Sequence, residues 1–237
     1  MGMTAEKIAA TLGITREECD AFAAESHARA AKAQREGRFD TQIVPVEAPC
    51  GKNETQLISA DETVRPDTSV ESLKKLRTSF DKNGVCTAGN SSPLTDGAAA
   101  VVVMSRETAE KRGLEILGTV RAFASAGLDP SVMGLGPVYA VRKLLDKTGL
   151  TLDDVGLIEL NEAFASQSLG CIRRLGLDTD KVNVNGGAIA LGHPFGATGA
   201  ILTTKLVYEM RRRSVKRGVV TFCIGGGQGA AMLIEGE

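Results

Sequence analysis

From Gly97 to Met104 the chain reads Gly-Ala-Ala-Ala-Val-Val-Val-Met, with no polar side chain after Asp96. A run this short and this apolar suits a strand covered on both faces, the situation of a layered α/β sheet. The segments that follow agree. Gly118–Gly127, Val155–Leu160, Gly218–Cys223 and Ala230–Ile234 read as strands. Between them, 106–112, Pro137–Lys147, 162–175 and 198–212 read as helices. Pro137 suits a first helical turn, and Leu202, Leu206 and Met210 fall on one face of the last helix. Strands alternating with helices predict an α/β fold with a mixed sheet and helices on both faces.

The first ninety or so residues are organised differently. Thr4 is placed to cap a helix over 5–12 that Gly13 stops, and Thr15-Arg16-Glu17-Glu18 has capping-box spacing ahead of a helix ending near Gly37. From Phe39 to about Asn90 the pattern turns polar and turn-rich, with a short strand at Ile43–Val46 and one helix near 69–80. Irregular stretches of that length are usually binding loops or lids.

Composition removes several function classes. With 28 basic against 29 acidic side chains, the chain offers no long-range attraction to nucleic acid or anionic membrane, and at 4% aromatic residues there is little for bases to stack on. No apolar run approaches the roughly 18 residues of a membrane span, and the N-terminus lacks a signal-peptide pattern. Five scattered cysteines without a C-x-x-C pair predict a reducing, cytoplasmic setting and no metal site. The runs Lys74-Lys75, Arg211-Arg212-Arg213 and Lys216-Arg217 read as solvated faces, the latter two offsetting a helix dipole.

Three segments carry candidate chemistry. Val219–Cys223 empties into Ile224-Gly225-Gly226-Gly227-Gln228-Gly229, putting a thiol beside bare backbone amides that could hold an oxyanion. The alternative is a buried structural cysteine next to a tight hairpin. Gly192-His193-Pro194 sets an imidazole in a loop ahead of a helix, either as acid–base group or as a turn histidine bonded to a carbonyl. His27, within a helix, reads as solvated or satisfied. Asn161-Glu162 follows the strand ending at Leu160, at a ligand-binding strand end or as a helix cap. The small-residue loop Gly84–Pro93 could admit a thin ligand or be merely a turn.

Together, Asn161-Glu162-Ala163-Phe164, Gly192-His193-Pro194 and Cys223-Ile224-Gly225-Gly226-Gly227, in that order and at those spacings, resemble the thiolase family. The resemblance extends over essentially the whole chain and is nearest to the biosynthetic-type acetyl-CoA acetyltransferases. A ketoacyl-synthase relative would want two histidines about one cysteine, and His27 is in the wrong context. The resemblance implies a thiolase-like fold and a substrate pair of acetyl-CoA and acetoacetyl-CoA with free CoA, without a permanently bound cofactor. It makes Cys223 the acid/base thiol and gives the Gly225 N–H to an oxyanion hole. His193, with a water held by Asn161, would hold the enolate oxygen; His193 would also help activate a nucleophilic cysteine. A neighbouring imidazolium can lower a cysteine pKa. Arg65 and Ser72 would meet the adenosine end of CoA, Ser92 the pantetheine, while Met133 and Phe164 would line the acyl pocket.

Two departures accompany the match. Pro93 stands where the family usually has glycine, removing a backbone donor beside the pantetheine. The nucleophilic cysteine of the family lies ahead of everything here, and none of Cys19, Cys50, Cys86 or Cys171 sits in its motif. The resemblance therefore implies that about 150 leading residues are missing. It divides the chain into a CoA-binding loop domain (1–95), the last strand and helix of a first half (96–117) and a complete second half (118–237). The strand at 98–104 would lack its partners, and a missing half or companion subunit, in a homo- or hetero-oligomer, is expected.

Overall fold

Thr15 opens the longest helix as its sequence predicts: its hydroxyl accepts from the Glu18 N–H at 3.2 Å, and the Glu18 carboxylate accepts from the Thr15 N–H at 2.8 Å. The computed structural model describes residues 1–237. It begins with α1 (Gly2–Leu12) and α2 (Arg16–Arg35). Thr4 does not cap α1. The helix starts three residues earlier than a Thr4 cap allows, with Met1 at its N-cap, and the Thr4 hydroxyl donates back to the Met1 carbonyl at 2.6 Å.

The excursion that follows holds a two-stranded antiparallel hairpin, β1 (Val46–Pro49) with β2 (Thr55–Ile58), and the single turn α3 (Val70–Leu73). The strand expected at Ile43–Val46 therefore begins only where that stretch ends. After α4 (Arg106–Lys111) come β3 (Thr119–Gly127), α5 (Gly136–Thr148), β4 (Leu157–Leu160), α6 (Ala165–Leu175), α7 (Ala188–Leu191), α8 (Thr198–Arg213), β5 (Arg217–Ile224) and β6 (Gln228–Glu235).

The sheet is mixed, in the order β3-β6-β5-β4. The first three strands are antiparallel neighbours, and β4 runs parallel to β5. Alternation of side chains across each strand feeds two cores. Ile158, Val219 and Leu233 pack with Val138, Val141, Leu144 and Leu145 of α5. Their neighbours Leu157, Val220 and Ile234 pack with Leu202, Leu206 and Met210 of α8 on the other face. Each such fully buried leucine contributes about 1.5–3 kcal/mol. α1 and α2 rest on α6 and α7, so the N-terminal helices share the core of the sheet domain. No helix is long and apolar enough to cross a membrane.

The strand expected from the apolar run does not form. Residues 96–105 carry no strand, Val102 is 84% exposed and Val103 77% exposed. A strand needs a neighbour to complete its ladder, and neither edge of the sheet takes this segment in.

The basic run at the end of α8 is only partly a solvated face. Arg211 pairs with Glu115, whereas Arg212 and Arg213 both grip the buried carboxylate of Glu209, which also accepts from Asn185 Nδ2 at 2.9 Å. Burial pushes the Glu209 carboxyl up, but the bonds from Arg212, Asn185 and Arg213 outweigh it and hold the pKa at about 2, below its ordinary 4.5. A depressed folded-state pKa stabilises fully above the unfolded value and is lost as pH falls through the folded one. Glu209→Gln is therefore expected to flatten the acid limb of stability between pH 4.5 and about 2, measured as the urea midpoint at each pH. An unchanged slope in the variant would remove Glu209 from the account.

Candidate active site

β4 and β5 run parallel, with Leu160 opposite Thr221, and the Asn161 N–H extends the pairing by donating to the Thr221 carbonyl at 3.0 Å. Asn161 and Cys223 thereby stand at the carboxyl ends of neighbouring parallel strands, where open α/β sheets receive ligands. The reading of Asn161 as a helix cap fails: α6 begins at Ala165 with Phe164 at its N-cap. Asn161 is fully buried, its Nδ2 lies 3.2 Å from His193 Nε2, and its Oδ1 has no partner in the chain.

Short-range chemistry shapes the loop that delivers His193. Asn183, at φ 46°, uses its side chain as a piece of strand: Oδ1 accepts from Leu160 N–H at 2.9 Å and Nδ2 donates to the Leu160 carbonyl at 2.7 Å. The buried Glu162 carboxylate accepts from Asn183 Nδ2 at 2.8 Å, from the Ser26 hydroxyl at 2.6 Å and from Ile189 N–H at 3.3 Å. Burial still pushes the Glu162 pKa up against these bonds. A Cβ on Gly187 would overlap this carboxylate, so the close approach requires glycine there. The excursion also reaches this loop, through Thr63 Oγ1 donating to the Ala190 carbonyl at 2.6 Å.

His193 emerges from this support with its two nitrogens engaged, Nε2 by Asn161 and Nδ1 by Thr198 Oγ1 at 2.6 Å, and with its ring edge-on to Phe195 at 4.9 Å. Burial holds its pKa below the ordinary 6.5, so the imidazole is neutral at pH 7. Cys223 is half-buried. Burial pushes its thiol up to about 11, only partly countered by a backbone hydrogen bond, so it is protonated at neutral pH. The lowering by a neighbouring imidazolium that the sequence suggested does not occur, because His193 is uncharged and no hydrogen bond joins the two residues.

Gly225 lies in the exposed turn between β5 and β6, and its N–H donates to no group in the chain. Gly226 and Gly227 follow at φ 89° and 90°, a region that only glycine occupies without strain. The turn is fixed from below by Leu128 N–H donating to the Gly227 carbonyl at 2.9 Å.

The remaining sequence-derived residues divide into two groups. Ser92 lies with the Asn161 segment: its N–H and hydroxyl donate to the Ala163 carbonyl at 3.1 and 3.2 Å. Phe164 is half-buried and meets Phe80 edge-on at 5.9 Å. Met133 is buried in the turn before α5. Arg65 and Ser72, by contrast, are exposed on the excursion and touch none of the central groups through a hydrogen bond. The Ser72 hydroxyl is part of the capping box of α3, and the Arg65 N–H donates to Nδ1 of the buried His27 at 3.1 Å. His27 is thus satisfied rather than solvated.

Cys19, Cys86 and Cys171 are buried with their thiols pushed up by burial, and Cys50 is exposed beside the hairpin. No three His, Cys, Asp or Glu side chains converge as a metal-ion site. Sequence reasoning missed three supporting residues. Thr198, five positions after His193, was visible in principle. The reach of Ser26 to Glu162 leaves no local trace, and the packing of Phe80 on Phe164 is likewise non-local.

A parallel strand pair carrying Asn161 and Cys223 at its carboxyl end, with His193 of the Gly-His-Pro loop against Asn161, defines an α/β protein with its candidate site at one sheet end. The family models agree on which one: "Thiolase, N-terminal domain" matches residues 1–107 and "Thiolase, C-terminal domain" residues 114–236. The chain belongs to the thiolase family. It is 51% identical over 235 residues to the acetyl-CoA acetyltransferase of Chromobacterium violaceum, covering 99% of this chain and 60% of that protein. To the 3-ketoacyl-CoA thiolase of Bacillus subtilis it is 54% identical over 243 residues, covering 99% and 62%. The crystal structure of the Bacillus anthracis acetyl-CoA acetyltransferase superposes with a TM-score of 0.98 at 45% identity, over 100% of this chain and 60% of that one. Human mitochondrial 3-ketoacyl-CoA thiolase in complex with CoA superposes at 0.95 and 46% identity, over 100% and 59%. The chain therefore spans about 60% of the length of the relatives it matches.

Proposed function

We propose that this chain carries the acid–base portion of an acyl-CoA C-acyltransferase, which condenses two acetyl-CoA to acetoacetyl-CoA and CoA or runs the reverse thiolysis. One observation carries the reading: the Asn161–His193 contact of 3.2 Å, with Asn161 following β4 and Cys223 near the end of the neighbouring parallel strand β5. An α-proton of a thioester is weakly acidic, so the reaction needs a base beside that carbon and donors for the enolate oxygen. In thiolysis the protonated Cys223 gives its proton to the departing acetyl-CoA carbanion; in condensation the CoA thiolate released by acylation takes the Cys223 proton, and the resulting Cys223 thiolate removes the α-proton of the second acetyl-CoA. His193 and a water on the unpartnered Asn161 Oδ1 hold the enolate oxygen. The free Gly225 N–H holds the oxyanion of the acyl thioester. CoA lies along the excursion, with Arg65 and Ser72 at its adenosine end, Ser92 at the pantetheine, and Met133 and Phe164 at the acyl group.

The nucleophilic thiol comes from a segment corresponding to the remaining length of the relatives, in the same protein or on a companion subunit. Its absence among residues 1–237 is supported by the burial of Cys19, Cys86 and Cys171 and the remoteness of Cys50 in the hairpin region. The same segment is proposed to pair with residues 97–104, whose exposed valines need a sheet. A homo- or hetero-oligomer and a cytoplasmic setting belong to this reading. The other reading, a non-catalytic CoA-binding or assembly subunit of a split thiolase, leaves the supported geometry of Asn161 and His193 without a purpose.

The test joins this chain in frame to the leading segment of the Bacillus anthracis enzyme and follows thiolysis of acetoacetyl-CoA. The joined protein is expected to turn over and the 237-residue chain alone to be silent. A folded joined protein without activity would overturn the assignment.

A further inference from the structure

The contacts around His193 point to the nitrogen that holds the proton. Thr198 Oγ1 lies 3.0 Å from the Pro194 carbonyl. A carbonyl only accepts, so the proton in that contact is the hydroxyl's own. With that proton engaged, the 2.6 Å contact between Thr198 Oγ1 and His193 Nδ1 requires the ring to donate from Nδ1. On the opposite side, the Asn161 amide as placed presents its Nδ2 donor to Nε2 at 3.2 Å, which matches a lone pair on Nε2. Two contacts on opposite edges of the ring therefore agree on the same tautomer.

We infer that Thr198 is a positioning residue that holds His193 as the Nδ1–H tautomer, leaving on Nε2, beside the Asn161 amide, the lone pair that acts as a base. This inference rests on the acid–base role proposed for His193 and adds an order to it. In this tautomer Nε2 has no proton to offer a thioester oxygen. It first takes the S–H proton of the nucleophilic cysteine, leaving a thiolate and an imidazolium. Only then does the new Nε2–H donate to the substrate oxygen. The helix geometry serves this purpose: Thr198 is the first residue of α8, so the rigid helix end, rather than the loop, sets the ring.

Nitrogen-15 NMR of the histidine-labelled chain tests the inference without requiring turnover. With only His27 and His193 in the sequence, a His27→Gln variant assigns the spectrum. The unmodified chain is expected to show a protonated, pyrrole-type Nδ1 and an unprotonated, pyridine-type Nε2 for His193. Thr198→Ser is expected to preserve that signature, and Thr198→Val to shift it toward the Nε2–H form. An Nε2–H signature in the unmodified chain, which needs no variant to fold, would overturn the inference, as would an unchanged signature in Thr198→Val. Silence of the joined protein would instead count against the proposed reaction, so the two failures are distinguishable.

Discussion

Cys223→Ala, introduced into the chain joined to the leading segment of the Bacillus anthracis enzyme, is expected to lower both condensation and thiolysis by roughly 10²–10⁴-fold, the range for removing a general acid–base group. The direction follows from where the thiol sits. At the end of β5 it is one residue from the turn that frees the Gly225 amide, and burial keeps it protonated with a pKa of about 11. A thiol so placed can deliver a proton to a carbanion, and the neighbouring groups are otherwise occupied. His193 is neutral and its nitrogens are engaged, and the Glu162 carboxylate lies under the loop, bonded to Ser26, Asn183 and Ile189. Acyl transfer to the nucleophile needs no proton from Cys223, so the variant should still form an acyl-enzyme. A serine replacement, with a far higher pKa, is expected to rescue little.

Lys205→Met is expected to destabilise the chain by about 3–5 kcal/mol, the cost of leaving one member of a buried pair alone. Lys205 Nζ lies 2.7 Å from Glu159 and donates to the Gly186 carbonyl at 2.7 Å, with both side chains almost wholly buried. Burial pushes the Glu159 carboxyl up, and the Lys205 ammonium is the main group opposing that push. Without the lysine, the carboxyl must take a proton or face water. Chemical denaturation of single and double variants separates the contributions. Lys205→Met combined with Glu159→Met should recover most of the lost stability, since an apolar pair replaces a buried ionic one at little net cost. A double variant no more stable than Lys205→Met would show that the bond to Gly186, and not the ion pair, is what matters.

The segment from Gly118 onward was legible because its signals are local. Pro137, the Leu202–Leu206–Met210 stripe and the apolar strand cores each state their own structure, and the observed β3, α5, β4, α8, β5 and β6 fall within a few residues of the expectation. The run at 97–104 misled because strand propensity is realised only beside a pairing neighbour, and neither sheet takes this segment in. Motif order singled out Asn161, His193 and Cys223, yet the pattern was silent about what steadies them. Glu162 is quoted in the motif beside Asn161, but its bonds to Ser26 and Asn183 span 136 and 21 residues and appear only once the chain is folded. Titration behaviour was equally hidden. Burial, which composition does not report, sets both the high pKa of Cys223 and the low one of His193.

Exchange of the methyl protons of acetyl-CoA with solvent deuterium, in the joined protein, tests most directly whether Cys223 moves the α-proton. The account predicts steady incorporation of deuterium in the unmodified protein and none above background in Cys223→Ala, with acyl-enzyme formation intact in both. Exchange at the unmodified rate in the Cys223→Ala protein would contradict it.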